Sequence, residues 1–330
     1  MYHHLGRRKK FVLEKSYGQQ GHSYLLSLFL YGLFLLLLLF LSVKYAALLQ
    51  DGGWFVYLDA ALIEQEQFRA MDFGEDGLSV IETTAMEHNV TIGEAAAVWM
   101  IHYGYHLPKA TAMKKQDDQF ADWKEQMIRW SEPDFRKIAN AYNTLLTGLG
   151  YFPVGEKTDE YLAPVSYENS WLEPREYGGE RLHEGCDIMS GQALASQYAD
   201  RVYPSGVYPV VSISAGVVER IGWLPLGGWR VGIRTDSGAY VYYAHLYGYA
   251  PGLEEGKIVS PGELLGWMGD TGYSEIEGTT GNFAVHLHLG LYLQTDHYEE
   301  LSVNPYWILK YLQQKQMSIE IRRNEKMGAE

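Results

Sequence analysis

Twenty consecutive residues near the N-terminus, Tyr24 to Val43, carry no charged side chain and are almost wholly apolar. A helix rises about 1.5 Å per residue, so a run of this length crosses the roughly 30 Å hydrocarbon core of a bilayer. We therefore expect a transmembrane helix over 24–43. A cleaved signal peptide is the alternative, but its apolar centre has roughly 7 to 15 residues and ends at a small-x-small site, which the sequence KYAA after the run matches poorly.

Basic residues flank the apolar run unequally. Only Lys44 follows it closely, whereas five basic residues precede it: Arg7, Arg8, Lys9, Lys10 and Lys15. Because flanking Lys and Arg residues favour the cytoplasmic side, we expect a cytoplasmic N-terminus and an extracytoplasmic chain from about Tyr45 onward. The predicted location is the cell membrane, with a single pass.

Composition limits the partners that the remaining chain can have. The chain has 330 residues, which suggests about two domains. Its net charge is −14, and much of the excess acid lies between Asp51 and Glu132. Outside the N-terminal tail there is no polybasic stretch, so nucleic acid is not an expected partner. The single cysteine, Cys186, excludes an intrachain disulfide, so stability outside the cell must come from the core.

The sequence after the apolar run, 44–150, has a helical pattern. A capping box over Thr91 to Glu94 opens one helix, and the segment Ser131 to Asp134 opens a second helix that stops at Gly148 and Gly150. This region is predicted to be a small helical stalk.

The stalk carries both apolar residues and a pair of histidines. His102 and His106 have the i, i+4 spacing of a helical metal pair, but no acidic third ligand is evident nearby, so we interpret them as satisfied or exposed histidines. We expect the apolar residues to form a core, with binding of a protein partner as the alternative: Trp99, Met100, Ile138, Tyr142 and Leu145.

From residue 151 onward the pattern changes to short strands separated by turns, for example the turn Asp236 to Gly238. We expect an antiparallel β-sheet domain with a groove, and the loop GYSEIEGTTGN is expected to form part of its wall. The fold class is therefore α+β overall.

The segment NFAVHLHLGLYL has the alternation of a half-buried strand. His286 and His288 share one face, and the opposite face is aliphatic and belongs to a core. A polar face directed at solvent is the alternative interpretation of such a pair.

A second string, HEGCD, adds His183 and Asp187, which share a face if the segment is extended, with Gly185 allowing the backbone to bend. The two strings together supply two imidazoles and a carboxylate for one divalent metal, plus a spare imidazole. Three protein ligands leave the fourth position for a water, as zinc hydrolysis requires. Cys186 points away from the ligands and is interpreted as a small core residue.

Exposed carboxylates near these strings are weaker candidates. Glu184, Glu275 and Glu277 lie in loop-like sequence, where a glutamate is usually only solvated. We therefore do not assign them as additional bases.

A third string, YYAHL with His245, completes a recognisable set. Together with HEGCD, HLH and the glycine-punctuated stretch GKIVSPGELLGWMGDTG, it makes the chain from about Val154 to Leu309 resemble the lysostaphin-type (LytM-like) metallopeptidases, which cut peptide cross-links of bacterial peptidoglycan. The resemblance implies one zinc ion per chain, with His183, Asp187 and His288 as ligands.

The resemblance also implies that His245 and His286 act on the water and on the oxyanion, and that peptidoglycan peptide is the substrate. It leaves open which bond is cut. The implied organisation is a cytoplasmic basic tail over 1–23, the transmembrane helix over 24–43, an extracytoplasmic helical stalk over 44–150, a metallopeptidase domain over 151–309 and a C-terminal tail over 310–330.

Two other classes compete with a zinc endopeptidase. Some membrane-anchored relatives have lost ligands and act as scaffolds in division or sporulation, but the complete set of five residues here argues for catalysis. A metal-dependent carbohydrate-binding domain would explain the ligands but not the spare histidines.

Overall fold

The computed structural model describes residues 15–50, 58–157, 164–176, 179–191, 205–315 and 318–319. Helix α1, Lys15–Gln50, contains the predicted apolar span and extends beyond both of its ends. Its segment Tyr24–Tyr45 has a mean hydropathy of 2.6 and is long and apolar enough to cross a membrane. The basic residues at positions 7–10, on which the predicted orientation rests, lie outside the described residues.

The second compact unit of the chain extends from Trp54 to Glu330 and begins with helices. Two short 3-10 helices, Ala60–Glu64 and Asp117–Gln119, stand among them. The α-helices are α2 (Glu66–Arg69), α3 (Gly77–Glu87), α4 (Ile92–His102), α5 (Ala110–Lys114) and α6 (Phe120–Leu146).

Both predicted helix starts are found, and each has a local cause. Thr91 Oγ1 accepts from the Glu94 backbone N–H at 3.1 Å, and Glu94 Oε2 accepts from the Thr91 N–H at 3.1 Å, which is a complete capping box for α4. In α6 the backbone of Ser131 is extended (φ −155°, ψ 94°), so the helix is kinked where the second start was predicted. The helical stretch before Ser131 was not predicted.

The strands form one large antiparallel sheet and two small pairs. The strands are β1 (Glu156–Lys157), β2 (Pro174–Arg175), β3 (Arg181–Leu182), β4 (Cys186–Met189), β5 (Pro209–Val211), β6 (Gly216–Leu224), β7 (Gly228–Thr235), β8 (Tyr240–Tyr249), β9 (Ile258–Val259), β10 (Leu264–Met268), β11 (His286–Leu293), β12 (Leu301–Val303) and β13 (Ser318–Ile319). In the large sheet the order is β12-β11-β8-β7-β6-β9, with β4 beside β11 and with β10 pairing both β5 and β8.

A single hydrophobic core connects the helices to the sheet. The five apolar residues of the predicted helical core are all buried, and Tyr142 and Trp99 are among the largest fully buried side chains. At the contact with the sheet, Arg69 Nε donates to Ser302 O at 2.8 Å, and the Arg69 carbonyl accepts from the Asn304 N–H at 2.8 Å. The helical region therefore packs directly on the sheet.

The end of the sheet region is also helical. Helix α7, Tyr306–Gln313, crosses the predicted boundary at 309, and Leu312 on its inner side is fully buried. Residues 316–317 and 320–330 of the predicted C-terminal tail lie outside the described residues. The five-part division of the chain stays a prediction.

Candidate metal centre

Strand β11 lies between β4 and β8, and this pairing assembles the site. His288 pairs with Asp187 on β4 and with Ala244 on β8. Residues that are paired across antiparallel strands present their side chains on the same face, so the Asp187 carboxylate and the His288 imidazole meet there. On the opposite face Leu287 and Leu289 are fully buried, which confirms the predicted alternation of this strand.

His183, Asp187 and His288 converge on one point. The distances are 3.0 Å from His183 Nε2 to Asp187 Oδ1, 2.9 Å from His183 Nε2 to His288 Nδ1, and 3.0 Å from His288 Nδ1 to Asp187 Oδ1. These residues form a group that can hold a metal ion, and the sequence predicted the same three ligands.

Hydrogen bonds around the group favour a cation between these atoms. His183 Nδ1 lies 2.9 Å from Ser170 O and 3.0 Å from Arg175 Nη2. When Nδ1 donates to the Ser170 carbonyl, the closer partner, Nε2 presents its lone pair. That lone pair faces the carboxylate oxygen Oδ1, which is also an acceptor. The second oxygen, Oδ2, accepts from Arg175 Nη2 at 2.9 Å, so the carboxylate is held with Oδ1 toward the histidines. This donor set fits zinc.

Gly185 is required by the close approach of β4 and β11. A Cβ atom at this position would lie 2.5 Å from Leu289 O and 2.8 Å from His288 Nε2. Real Cβ atoms do not approach other heavy atoms this closely, so only glycine allows the HEGCD string to pass against the His288 ring.

His245 reaches the site through an irregularity in β8. Its backbone is left-handed (φ 62°), and the pairing of β8 with β7 shifts between Val231 and Trp229, where β8 has an extra residue. Such a bulge turns a side chain away from the simple alternation of a strand. The His245 ring then lies 4.7 Å from the His286 ring and 6.1 Å from the His288 ring.

Both remaining histidines have fixed ring orientations. His245 Nδ1 donates to Thr271 O at 2.8 Å, and His286 Nδ1 donates to Ala284 O at 2.8 Å. Each ring therefore has Nε2 available as an acceptor. His286 Nε2 lies 3.7 Å from Asp187 Oδ1, so it stands beside the ligand group and outside the 2.9–3.0 Å triangle.

Burial sets the protonation of these groups. It lowers the pKa of His245 well below the ordinary value, and it also lowers the pKa of His286 and of His288. Burial alone would raise the pKa of Asp187, but its contacts with His183 and His288 outweigh burial and lower that pKa. Neutral imidazoles beside an ionised carboxylate are the protonation states that a metal ion needs.

A groove of about 830 Å³ opens above the group and is lined by His183, Asp187, His288 and His245. His286 does not line the groove and is only 8% exposed. Tyr242 stands on the groove side of His288, with the rings 6.0 Å apart.

Other predictions about individual residues can be compared with the structure. Cys186 is fully buried and donates to Glu168 O at 3.2 Å, and burial raises the pKa of its thiol to about 12, so its assignment to the core is confirmed. Glu275 and Glu277 are exposed, and Glu184 is an exposed residue of the groove rim. His102 stacks on Trp123 with ring centroids 3.6 Å apart.

Sequence reasoning missed Arg175 and Tyr242. Arg175 is contributed by the short strand β2, which no periodic pattern marks. Tyr242 is the first residue of the YYAHL string, in the strand that carries His245. A search for polar and aromatic residues on the same strand face as the histidines would have found Tyr242 but not Arg175.

The chain is similar to known proteins over much of its length. The profile of peptidase family M23 matches residues 199–305, a stretch that includes HLH and His245 and begins after HEGCD. The crystal structure of a protein from Ruminococcus gnavus ATCC 29149, provisionally named glycyl-glycine endopeptidase lytM, is 34% identical, covers 82% of this chain and 99% of that chain, and superposes with a TM-score of 0.65.

Curated relatives match shorter stretches. An L-Ala–D-Glu endopeptidase of Bacillus subtilis (strain 168) is 39% identical over 173 residues, which are 52% of this chain and 47% of that protein. Lysostaphin of Staphylococcus simulans is 35% identical over 82 residues, 24% of this chain and 15% of that protein. The chain thus spans less than half the length of these curated relatives. The similarity to the R. gnavus protein extends over nearly its whole length, and on that basis the chain belongs to peptidase family M23.

Proposed function

We propose that this chain is a zinc-dependent endopeptidase that cleaves peptide bonds of bacterial peptidoglycan. The observation that carries the proposal is the convergence of His183 Nε2, Asp187 Oδ1 and His288 Nδ1 within 3.0 Å of one another on a groove floor. Family membership supports the same reaction class.

The three convergent residues would hold the zinc ion. When bound at such a site, zinc supplies Lewis acidity, which polarises a carbonyl and lowers the pKa of a water ligand. Arg175 fixes the Asp187 carboxylate through Oδ2 and leaves Oδ1 for the ion. A carboxylate that is held in this way loses little freedom when the ion binds.

His245 and His286 would handle the proton and the developing oxyanion. In each ring Nδ1–H is already committed to a backbone carbonyl, so Nε2 is the atom that accepts a proton from the attacking water or donates to the oxyanion. His245 lines the groove and can contact substrate directly. His286 does not line the groove, but its Nε2 lies 3.7 Å from Asp187 Oδ1, beside the proposed ligands.

The test uses the full chain purified in detergent and incubated with purified sacculi. We expect new amino groups in the soluble products, identified by mass spectrometry, and we expect chelation to abolish their release and added zinc to restore it. Release of new reducing sugar ends without new amino groups would contradict the proposal. The scaffold alternative is not favoured, because the ligand group and the groove are both complete.

Helix α1 is proposed to anchor the enzyme in the membrane with the catalytic region outside. The apolar segment and the basic residues before it support this arrangement. A reporter fused after Glu330 should be external, and the full chain should stay in the membrane fraction. Recovery of a shorter soluble protein that begins near Ala47 would show that the segment is a signal peptide.

The substrate bond differs between the relatives. The name of the B. subtilis protein specifies an L-Ala–D-Glu bond, which has an acidic residue, whereas that of the R. gnavus protein specifies a neutral glycyl-glycine bond. The two names thus differ in the charge of the residues at the bond.

A further inference from the structure

Two arginines project into the groove on the side away from HEGCD. In the β6–β7 hairpin Arg220 pairs with Gly232, and Gly222 pairs with Arg230. Arg220 and Gly222 are two residues apart on one strand, so both arginines project from the same face of the hairpin. Both line the groove that contains the metal centre.

Arg230 lacks partners for two of its nitrogens. Its Nε and Nη1 are buried and have no hydrogen-bond partner. Within the part of the chain that the structure describes, no carboxylate lies within 4.0 Å of Arg230 or Arg220. Other arginines nearby are paired: Arg175 with Asp187 at 2.9 Å and Arg234 with Glu219 at 2.7 Å.

Burial of these two nitrogens without an acceptor is costly, because they have lost water without gaining a hydrogen bond. A carboxylate removes this cost best, since its two oxygens match the planar fork of an arginine. The groove's own exposed carboxylates, those of Glu184 and Glu300, do not reach these arginines. Among the described residues these two nitrogens therefore have no acceptor, and a bound ligand can supply one.

We propose that Arg230, assisted by Arg220, forms a subsite for a carboxylate of the substrate, so that the groove takes an acidic peptide in preference to a neutral one. The proposal rests on the proposed endopeptidase function and names its substrate class. Of the two bonds considered above, it favours an alanyl-glutamate bond over a glycyl-glycine bond.

The strand order places the subsite near the reacting bond. His288 lies on β11 and Arg230 on β7, with β8 between them. Adjacent strands are about 4.8 Å apart, so the two backbones are separated by roughly 10 Å, part of which the arginine side chain spans. Tyr242 on β8 stands between the His288 ring and the hairpin. The recognised carboxylate thus belongs to a residue within one or two positions of the scissile bond.

The test compares two peptides on the zinc-loaded full chain in detergent. One contains an L-Ala–D-Glu bond, and the other is identical except that the free carboxylate of the glutamate is converted to the amide. We expect the wild type to show a kcat/KM about 10- to 100-fold higher for the acid, the usual scale for hydrogen bonds to charged groups. In Arg230→Gln this ratio should fall to near one while the zinc content stays at one per chain.

Three further variants control the result. Arg234→Gln lies on the same strand but is paired with Glu219 and does not line the groove, so its ratio should equal that of the wild type. Arg230→Lys keeps the charge without the planar fork and should retain part of the preference. Arg220 is exposed, so Arg220→Gln should fold like the wild type. This variant should reduce the preference for the acid several-fold.

The possible outcomes distinguish failure of the carboxylate subsite from failure of the proposed endopeptidase function. A wild type without preference, or an Arg230→Gln variant that keeps it, overturns the subsite. If neither peptide is cleaved, the sacculus assay decides the proposed function, and calorimetric binding of the same peptides decides the subsite alone. Tighter binding of the acid by the wild type but not by Arg230→Gln supports the subsite, and equal or absent binding overturns it.

Discussion

At the scale of single residues, the two histidines of HLH occupy different positions although they share a strand face. His288 Nδ1 lies 3.0 Å from Asp187 Oδ1 and belongs to the triangle of proposed ligands. His286 Nε2 lies 3.7 Å from the same oxygen, and its ring contacts the His245 ring instead. Alternation along the strand predicts the shared face. It does not distinguish the ligand from its neighbour, and the family resemblance made that assignment.

This difference predicts distinct losses on substitution. His288→Ala removes a ligand, so the purified full chain should lose zinc, activity and thermal stability together. His286→Ala leaves the three ligands in place, so zinc should stay near one per chain while turnover falls on the order of 100-fold. His245→Ala should resemble His286→Ala.

Elemental analysis of the three variants, paired with one cleavage assay, provides the measurement. If His286→Ala loses zinc while His288→Ala keeps it, the ligand assignment is reversed. The proposed division between ligands and proton-handling residues would then be wrong.

At the scale of strands and helices, the sequence predicts regular elements well and irregular ones poorly. The capping box at Thr91 and the alternation in β11 follow from local rules, and both are present in the structure. The bulge that turns His245 toward the site depends on how β8 pairs with β7. The placement of Arg175 depends on a two-residue strand. Long-range pairing decides both features, so local patterns could not reveal them.

Gly185 offers a test of the close contact between β4 and β11. In Gly185→Ala the new methyl group would clash with Leu289 O and the His288 ring, so β4 must move away from β11. We expect a lower thermal midpoint and at least a 10-fold weaker affinity for zinc, measured by competition with a chelator.

The matched control is Gly248→Ala in β8, where a Cβ would have no atom within 4 Å. This variant should keep the wild-type midpoint and zinc affinity. If the two glycine variants behave alike, the contact of Gly185 with His288 does not position the ligand.

At the scale of the whole molecule, the helical region and the sheet share one core. Arg69 ties α2 to β12 through Ser302, its guanidinium lies 5.2 Å from the Trp171 ring, and Glu64 accepts from Thr295 Oγ1 at 2.6 Å. The Arg69–Ser302 and Glu64–Thr295 contacts join residues more than two hundred positions apart in the chain. A change in the stability of the helices should therefore alter the stability of the sheet that carries the metal centre.

The protonation of His102 should make the stability of that shared core depend on pH. It lies in the helical region, stacked on Trp123, and its Nδ1 is buried without a partner. Burial lowers its pKa from 6.5 to about 4. Between about pH 6.5 and pH 4 the unfolded chain therefore binds a proton that the folded chain does not, so the free energy of unfolding falls as the pH falls.

Replacement of His102 by phenylalanine should remove this dependence while keeping the stacking on Trp123. Thermal midpoints of the full chain in detergent should fall less between pH 7 and pH 4.5 in His102→Phe than in the wild type. After allowance for the solvent that reaches this ring, the pH-dependent loss in the free energy of unfolding should be smaller in the variant by on the order of 1–2 kcal/mol. The site histidines are present in both proteins, so their protonation contributes to both curves and cancels in the comparison. Equal slopes would show that His102 is already protonated in the folded chain or that its ring is accessible to water.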